Sequence, residues 1–326
     1  VQFNDVIIKN NGANFGGGIN STGSNPNLIS SSIDSNIAYW GAGIYLENSL
    51  ANIEKSNIGF NTAYIEGGGI YQNGNEVNLD EVAIICNNGL DFGGAVVSFS
   101  GAMSLDFCTI SGNDSNIGSA FNIREAVVSI ANSILWNDNN AIYSSSGSQS
   151  SMINIAHTNV YDGQSELSSI NNIILDWGEG NISTDPLFCD IEDYNYALQE
   201  GSICLYASSS NGPIGAYNSA GCDQLLSLDK TYNPTAFALM QNYPNPFNPI
   251  TNVKYSIYEP SSVRISIYSI SGIWIRDLVD RYHNPGTYYA IWNSTNNNGL
   301  KVSSGVYLYK IVANDKTEIR KMLLAK

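Results

Sequence analysis

The sequence predicts an all-β protein in which a parallel β-helix is followed by a β-sandwich. Three observations support this fold class. An Asn recurs every 24 to 26 residues through the first half of the chain, and short runs of β-forming residues fill the intervals. The last part of the chain, about 90 residues long, contains seven further short runs separated by turn signals. No apolar i, i+4 pattern is long enough to predict a helix.

The repeat of about 25 residues places each Asn three positions after an Ile or Val. A pair of small residues, such as Gly68-Gly69, follows each of the first five copies, and an apolar residue comes next. A unit of two or three short strands cannot bury its own apolar face. Successive units therefore stack at the parallel-strand spacing of about 4.8 Å and form a coil. A weaker copy at 155–163 extends the coil.

The recurring Asn and Gly residues fit the corners of such a coil. Both tolerate the left-handed conformation of a sharp corner, and Asn side chains at one corner can hydrogen-bond along the stack. We therefore predict a structural ladder rather than a binding site at Asn11, Asn36, Asn61, Asn87, Asn113 and Asn137.

The copies resemble the GGA(I/V) and FxxN repeats of polymorphic outer-membrane proteins over about residues 1–163. Phe60-Asn61 and the run from Phe92 to Val96 are the nearest matches. More broadly, the copies are similar to the right-handed parallel β-helix superfamily. This resemblance implies the architecture and its right hand but no single activity, because the superfamily contains lyases, hydrolases, adhesins and passive stalks.

The first domain is predicted to span 1–222, with a capping segment at about 164–222. The runs TDPLFCD and GPIGAYNSAGC resemble the tail of secreted bacterial β-helix proteins, and a cap would cover the open solenoid end. The resemblance implies a disulfide between Cys189 and Cys222 and a free Cys204. Cys108 shares its position in the repeat with small residues, so we predict a buried core thiol.

The C-terminal part is predicted to be an immunoglobulin-like β-sandwich over 236–326, after a linker at 223–235. It contains the runs QNYPNPFNP, SGVYLYKI and KMLL. Their order and spacing are similar to the type A sorting domain of the bacterial type IX secretion system. The resemblance assigns the sorting signal to Pro244, Asn245, Pro246, Phe247, Gly305, Tyr307, Lys321, Met322 and Leu323.

That resemblance implies translocation across the outer membrane and recognition by the secretion machinery, which is the predicted partner. It often implies removal of the domain with attachment to surface lipopolysaccharide. The expected location is therefore the cell surface or the extracellular space.

Charge is divided unevenly between the two parts. Residues 1–222 hold 22 acids and three bases, a net charge of −19, whereas 223–326 hold seven acids and eleven bases, a net charge of +4. The acidic part repels phosphate backbones and polyanionic polysaccharides, so nucleic acid is not expected as a partner. No apolar run approaches the roughly 20 residues of a transmembrane segment. We interpret the strand-like start without a signal peptide as a processed or truncated N-terminus.

Three acids hold equivalent positions in successive coils: Glu54, Asp80 and Asp106. Neighbouring carboxylates would lie about 5 Å apart, which suits a retaining glycosidase and also, at Asp80 and Asp106, a calcium ion. Residues that flank an inward apolar position normally face water. We therefore interpret the acids as a solvated face, with catalysis and calcium binding as the alternatives, and predict no other cofactor.

Five aromatic residues recur near the same corners: Trp40, Tyr45, Tyr71, Phe92 and Trp136. Outside the coil they would form a sugar-binding platform, and inside it they would be core, which is the interpretation we favour. Arg124 is nearly the only base in the first part. His157 lies on a degraded repeat without an acidic neighbour in sequence, so we interpret it as structural or exposed.

These features favour a non-enzymatic surface protein, an adhesin, glycan-binding or structural stalk, with a neutral glycan or another surface molecule as ligand. The alternative is a carbohydrate-active hydrolase or lyase of the β-helix superfamily.

Overall fold

The computed structural model describes residues 1–137, 141–144, 149–168, 172–191, 194–217, 220–222, 236–242, 244–283 and 286–325. The chain divides into two compact units, Val1–Leu228 and Asp229–Lys326. The predicted linker, 223–235, lies outside the described residues.

The first unit is a parallel β-solenoid of about seven turns. Its strands, coil by coil, are β1 (Gln2–Asn4), β2 (Ile7–Lys9) and β3 (Ile19–Thr22); β4 (Asn27–Ile29), β5 (Ser32–Asp34), β6 (Ile37–Trp40) and β7 (Ile44–Glu47); β8 (Ala51–Glu54), β9 (Asn57–Gly59), β10 (Thr62–Glu66) and β11 (Ile70–Asn73); β12 (Glu76–Asp80), β13 (Ala83–Ile85), β14 (Asn88–Phe92) and β15 (Val96–Phe99); β16 (Ala102–Asp106), β17 (Thr109–Ser111), β18 (Asp114–Ile117) and β19 (Phe121–Arg124); β20 (Val127–Ala131), β21 (Ile134–Trp136) and β22 (Ile142–Ser144); β23 (Ser151–Ala156) and β24 (Asn159–Val160). The short helix α1 (Gln164–Ser168), β25 (Ile173–Trp177), the hairpin of β26 (Phe188–Asp190) and β27 (Asn195–Leu198), and a 3₁₀ turn (Ile203–Tyr206) complete the unit.

Four parallel sheets run along the solenoid in the described residues, because a coil contributes at most one strand to each sheet. The eight-stranded sheet has the order β1-β4-β8-β12-β16-β20-β23-β25, the seven-stranded sheet β2-β5-β9-β13-β17-β21-β24, the four-stranded sheet β18-β14-β10-β6 and the six-stranded sheet β22-β19-β15-β11-β7-β3. Equivalent residues of neighbouring coils face one another, as Leu79 does with Ile53 and Leu105. These three side chains belong to the interior core, which confirms the predicted stacking.

The Asn ladder runs through the interior corner between the seven-stranded and four-stranded sheets. The Oδ1 atom of each Asn accepts hydrogen bonds from the Asn of the preceding coil, as between Asn61 and Asn87 at 3.0 Å from the backbone nitrogen and 2.9 Å from Nδ2. At the first five corners the left-handed residue is the one before the ladder Asn, for example Phe60 with φ 56° and Cys86 with φ 53°. The expectation that the ladder Asn residues themselves adopt this conformation is therefore wrong. Their side chains, not their backbone angles, account for the repeat.

The predicted capping segment differs from a simple cap. Leu167 of α1 joins the interior core at the end of the solenoid, and β25 adds the last strand of the eight-stranded sheet. The later part, which we call the flank segment (188–217), instead lies against the outer side of the seven-stranded sheet. There Phe188, Tyr196, Leu198, Cys204, Leu205, Ile214 and Tyr217 cover Ala83, Ile85 and Ile134.

The flank segment is held to several coils at once. The backbone nitrogen of Ala216 donates to Thr109 Oγ1 at 3.0 Å, and that of Gly215 donates to the Asn132 carbonyl at 2.8 Å. The flank segment runs along the outer side of the solenoid because it covers the outward apolar residues of the seven-stranded sheet. A disulfide joins Cys189 to Cys222, with the two Cα atoms 5.3 Å apart. The three other cysteines are free thiols: Cys86, Cys108, which is buried in the core, and Cys204.

The second unit contains seven strands: β28 (Ala238–Leu239), β29 (Thr251–Ile257), β30 (Ser261–Ser269), β31 (Trp274–His283), β32 (Gly286–Trp292), β33 (Gly305–Ala313) and β34 (Lys316–Leu324). They form an antiparallel three-stranded sheet, β28-β29-β32, and an antiparallel four-stranded sheet, β31-β30-β33-β34. Side chains of both sheets share one core, including Tyr255, Ile265, Trp292 and Tyr309. The predicted β-sandwich is thereby confirmed.

Candidate functional site

The predicted sorting-signal residues of the second unit come together along β33 and β34. Phe247 is 2% exposed, and its ring centroid lies 5.6 Å from that of Trp292. Trp292 in turn makes an edge contact with Tyr307 at 4.9 Å. On the neighbouring strand, Met322 faces Tyr307 and is also buried. The motif aromatics therefore form one packed cluster.

The turn that carries Phe247 also covers the free edge of β34. The Phe247 nitrogen donates to the Leu323 carbonyl at 3.0 Å, and the Ala325 nitrogen donates to the Phe247 carbonyl at 2.8 Å. Asn245 Oδ1 accepts from the Leu323 nitrogen at 2.9 Å. At Leu323 to Ala325 the edge is therefore covered, which protects this end of the last strand against edge-to-edge association.

The other predicted signal residues differ in whether they contact the sandwich or face solvent. The Pro244 carbonyl accepts from Thr251 Oγ1 at 2.8 Å, which fixes the entry to β29. Gly305 faces Leu324 across the strand pair. The exposed residues are Pro246, Lys321 and Leu323. The exposed fraction of Leu323 is 41%. The predicted signal residues thus divide into an inward group that holds the sandwich together and an outward group that faces solvent. Only the strand register shows which residue belongs to which group.

In the solenoid, the three acids noted in sequence lie in adjacent strands of the eight-stranded sheet, where Asp80 faces Glu54 on one side and Asp106 on the other. Partial burial raises the pKa of Asp80 above its ordinary value, and the neighbouring carboxylates, Glu81 first, raise it further. Asp106 Oδ1 accepts a hydrogen bond from Asn132 Nδ2 at 2.8 Å.

No metal cluster accompanies these acids in the part of the chain that the structure describes. Among those residues, no three His, Cys, Asp or Glu side chains come together in a way that could hold an ion. Calcium at Asp80 and Asp106 stays a prediction. His157 lies at a left-handed corner three coils beyond Asp80, and its backbone nitrogen donates to the Glu179 carbonyl at 2.9 Å. The structure does not bring His157 to the acids.

A row of neutral polar side chains lies beside the acids on the same outer face, and sequence reasoning missed it. Its members are half-buried or exposed and stand in register on five successive strands: Asn52, Asn78, Ser104, Ser129 and Asn154. Asn78 Nδ2 donates to Asn52 Oδ1 at 3.2 Å, and Asn154 Nδ2 donates to Ser129 Oγ at 3.1 Å. The sequence pattern could have indicated this row, because each of its residues lies between two inward-facing apolar positions of the repeat.

The recurring aromatics lie on the outside of the coil, so the interpretation that favoured the interior is wrong. Tyr45 is flanked in β7 by two interior residues, Ile44 and Leu46, and strand alternation points its ring outward. Tyr45 and Tyr71 stack at 5.1 Å with an interplanar angle of 7°. Burial, followed by the charge of Glu66, raises the pKa of Tyr71 to about 12.

The remaining three aromatics also pack on the outer side. Trp40 stacks on Phe15 at 5.0 Å, Phe92 lies under the guanidinium of Arg124 at 5.2 Å, and Trp136 contacts Tyr161 edge-on at 5.1 Å. Because the rings of the two stacked pairs, Phe15–Trp40 and Tyr45–Tyr71, cover each other's faces, these pairs do not form a flat sugar-binding platform. They act as a second, outer layer of packing.

Residues 241–325 match the family model described as "Secretion system C-terminal sorting domain". The match shows that the second unit is such a domain and indicates export by the type IX secretion system to the cell surface or extracellular space. It also implies interaction with the secretion machinery. Of the helices in the described residues, none has the length and apolar character needed to span a bilayer.

Two solved structures resemble parts of the chain. One is dimeric latent PorU from Porphyromonas gingivalis, with 23% identity, 26% of this chain and 9% of that chain covered, and a TM-score of 0.24. The other is PorZ, an essential bacterial surface component of the type-IX secretion system of human oral-microbiomic Porphyromonas gingivalis, with 16% identity, coverage of 31% and 13%, and a TM-score of 0.21. Scores this low carry no argument here. No curated protein matches the sequence.

Proposed function

We propose that the exported chain is a non-enzymatic surface protein whose solenoid binds a neutral glycan along the outer face of the eight-stranded sheet. One observation carries the proposal: neutral amides and hydroxyls stand in register on five successive strands, from Asn52 to Asn154. Parallel strands repeat every 4.8 Å or so, which gives a straight line of evenly spaced hydrogen-bonding groups.

The chemistry of this row suits sugar hydroxyls. An amide donates and accepts at once, a serine hydroxyl does the same, and a sugar hydroxyl can satisfy either partner. The bonds that Asn78 makes to Asn52, and Asn154 to Ser129, are solvent-accessible pairs that a ligand can exchange at little cost. An extended ligand would contact several coils without any change in the fold.

The negative charge of the solenoid disfavours anionic glycans as ligands. The row lies beside Glu54, Asp80 and Asp106, on a domain with a net charge of −19 over residues 1–222. Uronic acid and sulfated chains would be repelled, whereas a neutral glycan would not be.

The alternative is a carbohydrate-active hydrolase that uses the same acids. In-register carboxylates on strands about 4.8 Å apart approach the 5–5.5 Å separation of retaining glycosidases. The raised pKa of Asp80 suits a proton donor. Against it, the two carboxylates of such an enzyme flank the scissile bond, whereas these acids follow one another along one line. Asp106 is also engaged by Asn132.

Binding of the full chain to an array of neutral glycans tests the proposal. The double variant Asn78→Ala, Ser104→Ala removes the centre of the row, and we expect affinity to fall about tenfold or more, because each lost hydrogen bond contributes roughly 0.5–1.5 kcal/mol. Asn20→Ala, an exposed Asn on the six-stranded sheet, is the matched control and should bind as the wild type does. Failure of the wild type to bind any neutral glycan, or equal binding by the double variant, would overturn the proposal.

A further inference from the structure

Asn122 on the six-stranded sheet is fully buried, yet its side-chain amide has no hydrogen-bond partner among the residues that the structure describes. The residue is 0% exposed, and both Oδ1 and Nδ2 are unpaired. Its neighbours in β19, Phe121 and Ile123, belong to the interior core, so strand alternation points the amide to the outer side. Buried amides without partners are rare because desolvation is costly, and a bound molecule that supplies hydrogen bonds would stabilise this one.

The surroundings of this amide are polar on one side and aromatic on the other. Val97 and Tyr143 face Asn122 from the adjacent strands. Arg124 lies two residues along the same face, and its Nε atom is likewise buried and unpaired. The rings of Phe92 and Tyr143 lie 6.4 Å apart, and the Arg124 guanidinium stands over the Phe92 ring.

An ion pair between Arg124 and Glu66 lies beside the Asn122 amide. Arg124 Nη2 donates to Glu66 Oε1, from a coil two turns away along the solenoid, and both side chains are largely buried. The pair leaves the site neutral in sum, so neither a cation nor an anion gains from entering it. The free hydrogen-bonding atoms are one acceptor, Asn122 Oδ1, and two donors, Asn122 Nδ2 and Arg124 Nε.

We propose that Asn122, Arg124 and Glu66, with the rings of Phe92 and Tyr143, form a second binding site that takes one neutral sugar ring. A hydroxyl donates and accepts at once, which satisfies the amide, and an adjacent hydroxyl accepts from Arg124 Nε. The apolar face of the ring packs on the aromatic side chains. Entry requires the side chain of Tyr143, which is 36% exposed, to rotate away from Asn122, a motion that surface side chains make readily, while Arg124 keeps its ion pair with Glu66.

This site shares only its ligand class with the proposed function and lies on a different sheet from the row at Asn78. Either of the two proposals, for this site or for the row, can therefore be wrong while the other is right. A water molecule bound to the Asn122 amide is the competing occupant, and it would satisfy the same atoms without any affinity for sugar.

Saturation-transfer NMR on the full chain with galactose, glucose, mannose and N-acetylglucosamine tests the site. Asn122→Leu removes the unpaired amide at similar volume. We expect it to raise the melting temperature while weakening sugar binding about tenfold or more. The matched control is Asn20→Leu, at the exposed end of the same in-register row, which should leave sugar binding unchanged.

Asn122→Ala repeats the test without added bulk if the Leu variant does not fold. Absence of binding by the wild type to all four sugars, or unchanged binding by a folded Asn122 variant, would mean that water alone occupies the site. In the Asn78→Ala, Ser104→Ala background, Asn122→Leu should weaken the binding of these single sugars by the same factor as in the wild type, which separates this site from the proposed function.

Discussion

The Oδ1 atom of Asn61 accepts two hydrogen bonds from Asn36, one from the backbone nitrogen at 2.9 Å and one from Nδ2 at 3.0 Å. The Nδ2 atom of Asn61 donates in turn to Asn87 Oδ1 and to the carbonyl of Ile33 at 2.9 Å each. One side chain thus ties three coils together in the interior, where water cannot replace it. This accounts for the Asn that recurs in six successive coils.

Asn61→Ala should destabilise the solenoid by about 3 kcal/mol, because it leaves buried donors and acceptors of Asn36, Asn87 and Ile33 without partners. Denaturant unfolding measures the change. Asn52→Ala, on the exposed outer face, should change stability by less than about 0.5 kcal/mol. Equal effects of the two substitutions would contradict the interior ladder.

Loss of the Cys189–Cys222 disulfide should destabilise the first unit by about 3–4 kcal/mol in the chain-entropy model, since it closes a loop with a sequence separation of 33. Thermal unfolding of the Cys189→Ser, Cys222→Ser variant measures this change, and limited proteolysis should show earlier cleavage within 188–217. A reductant should lower the stability of the wild type but not of the variant. If a reductant lowered the stability of the wild type and of the variant equally, the stabilising disulfide would not be the one between Cys189 and Cys222.

The raised pKa of Asp80 predicts a pH-dependent effect of Asp80→Asn. An acid whose pKa is higher in the folded state favours folding at pH values below its unfolded pKa and loses that contribution as pH rises through the folded value. At neutral pH the charged form is disfavoured, so Asp80→Asn should stabilise the solenoid. The gain should be a few tenths of a kcal/mol, because Asp80 is exposed and screened.

Melting temperatures of the wild type and the Asp80→Asn variant, compared across pH, test this sign. The difference should shrink as the pH falls below the ordinary Asp range. A variant that is less stable at neutral pH would show that the carboxylate makes a favourable contact, as it would with a bound cation.

His283 predicts that the second unit loses stability in mild acid. Burial first, then the charge of Arg281, lowers the His283 pKa below 6.5, and its Nε2 lies 2.9 Å from the Tyr255 hydroxyl. A base with a lowered folded pKa contributes stability above its unfolded value, which is lost as the pH falls through the folded value. Unfolding of the second unit should therefore become easier below about pH 6.5.

His283→Gln keeps a polar side chain that cannot titrate, so it should remove most of this pH dependence. The measurement is the unfolding midpoint of the full chain, followed by the fluorescence of the aromatic core of the second unit. A wild type and a variant with parallel pH profiles would show that other groups control acid unfolding.

The coil, its period and the sandwich could be predicted because each depends on a spacing that the sequence displays directly. Asn36, Asn61 and Asn87 recur at fixed intervals, and no tertiary information is needed to align them. The position of Tyr45 could not be settled in the same way. An aromatic residue suits the interior and the outer packing layer equally, and only the strand register shows which neighbours face inward.

Long-range packing was also invisible in the sequence. The flank segment covers Ala83, Ile85 and Ile134, which are separated from it by 50 residues or more, and a general resemblance to a capping tail does not give its path. The unpaired amide of Asn122 needed coordinates for the same reason. Its position equivalent to Tyr45 and Tyr71 can be read from the repeat, but the absence of a partner cannot.

The most direct test of a binding role without catalysis is to incubate the full chain with the neutral polysaccharide that it binds most tightly and to follow the number of reducing ends. We expect the polysaccharide to be recovered at its original length, with no new reducing ends. Release of sugars by the wild type that disappears in Asp80→Asn would show that the acids of the eight-stranded sheet are catalytic, and the non-enzymatic proposal would be wrong.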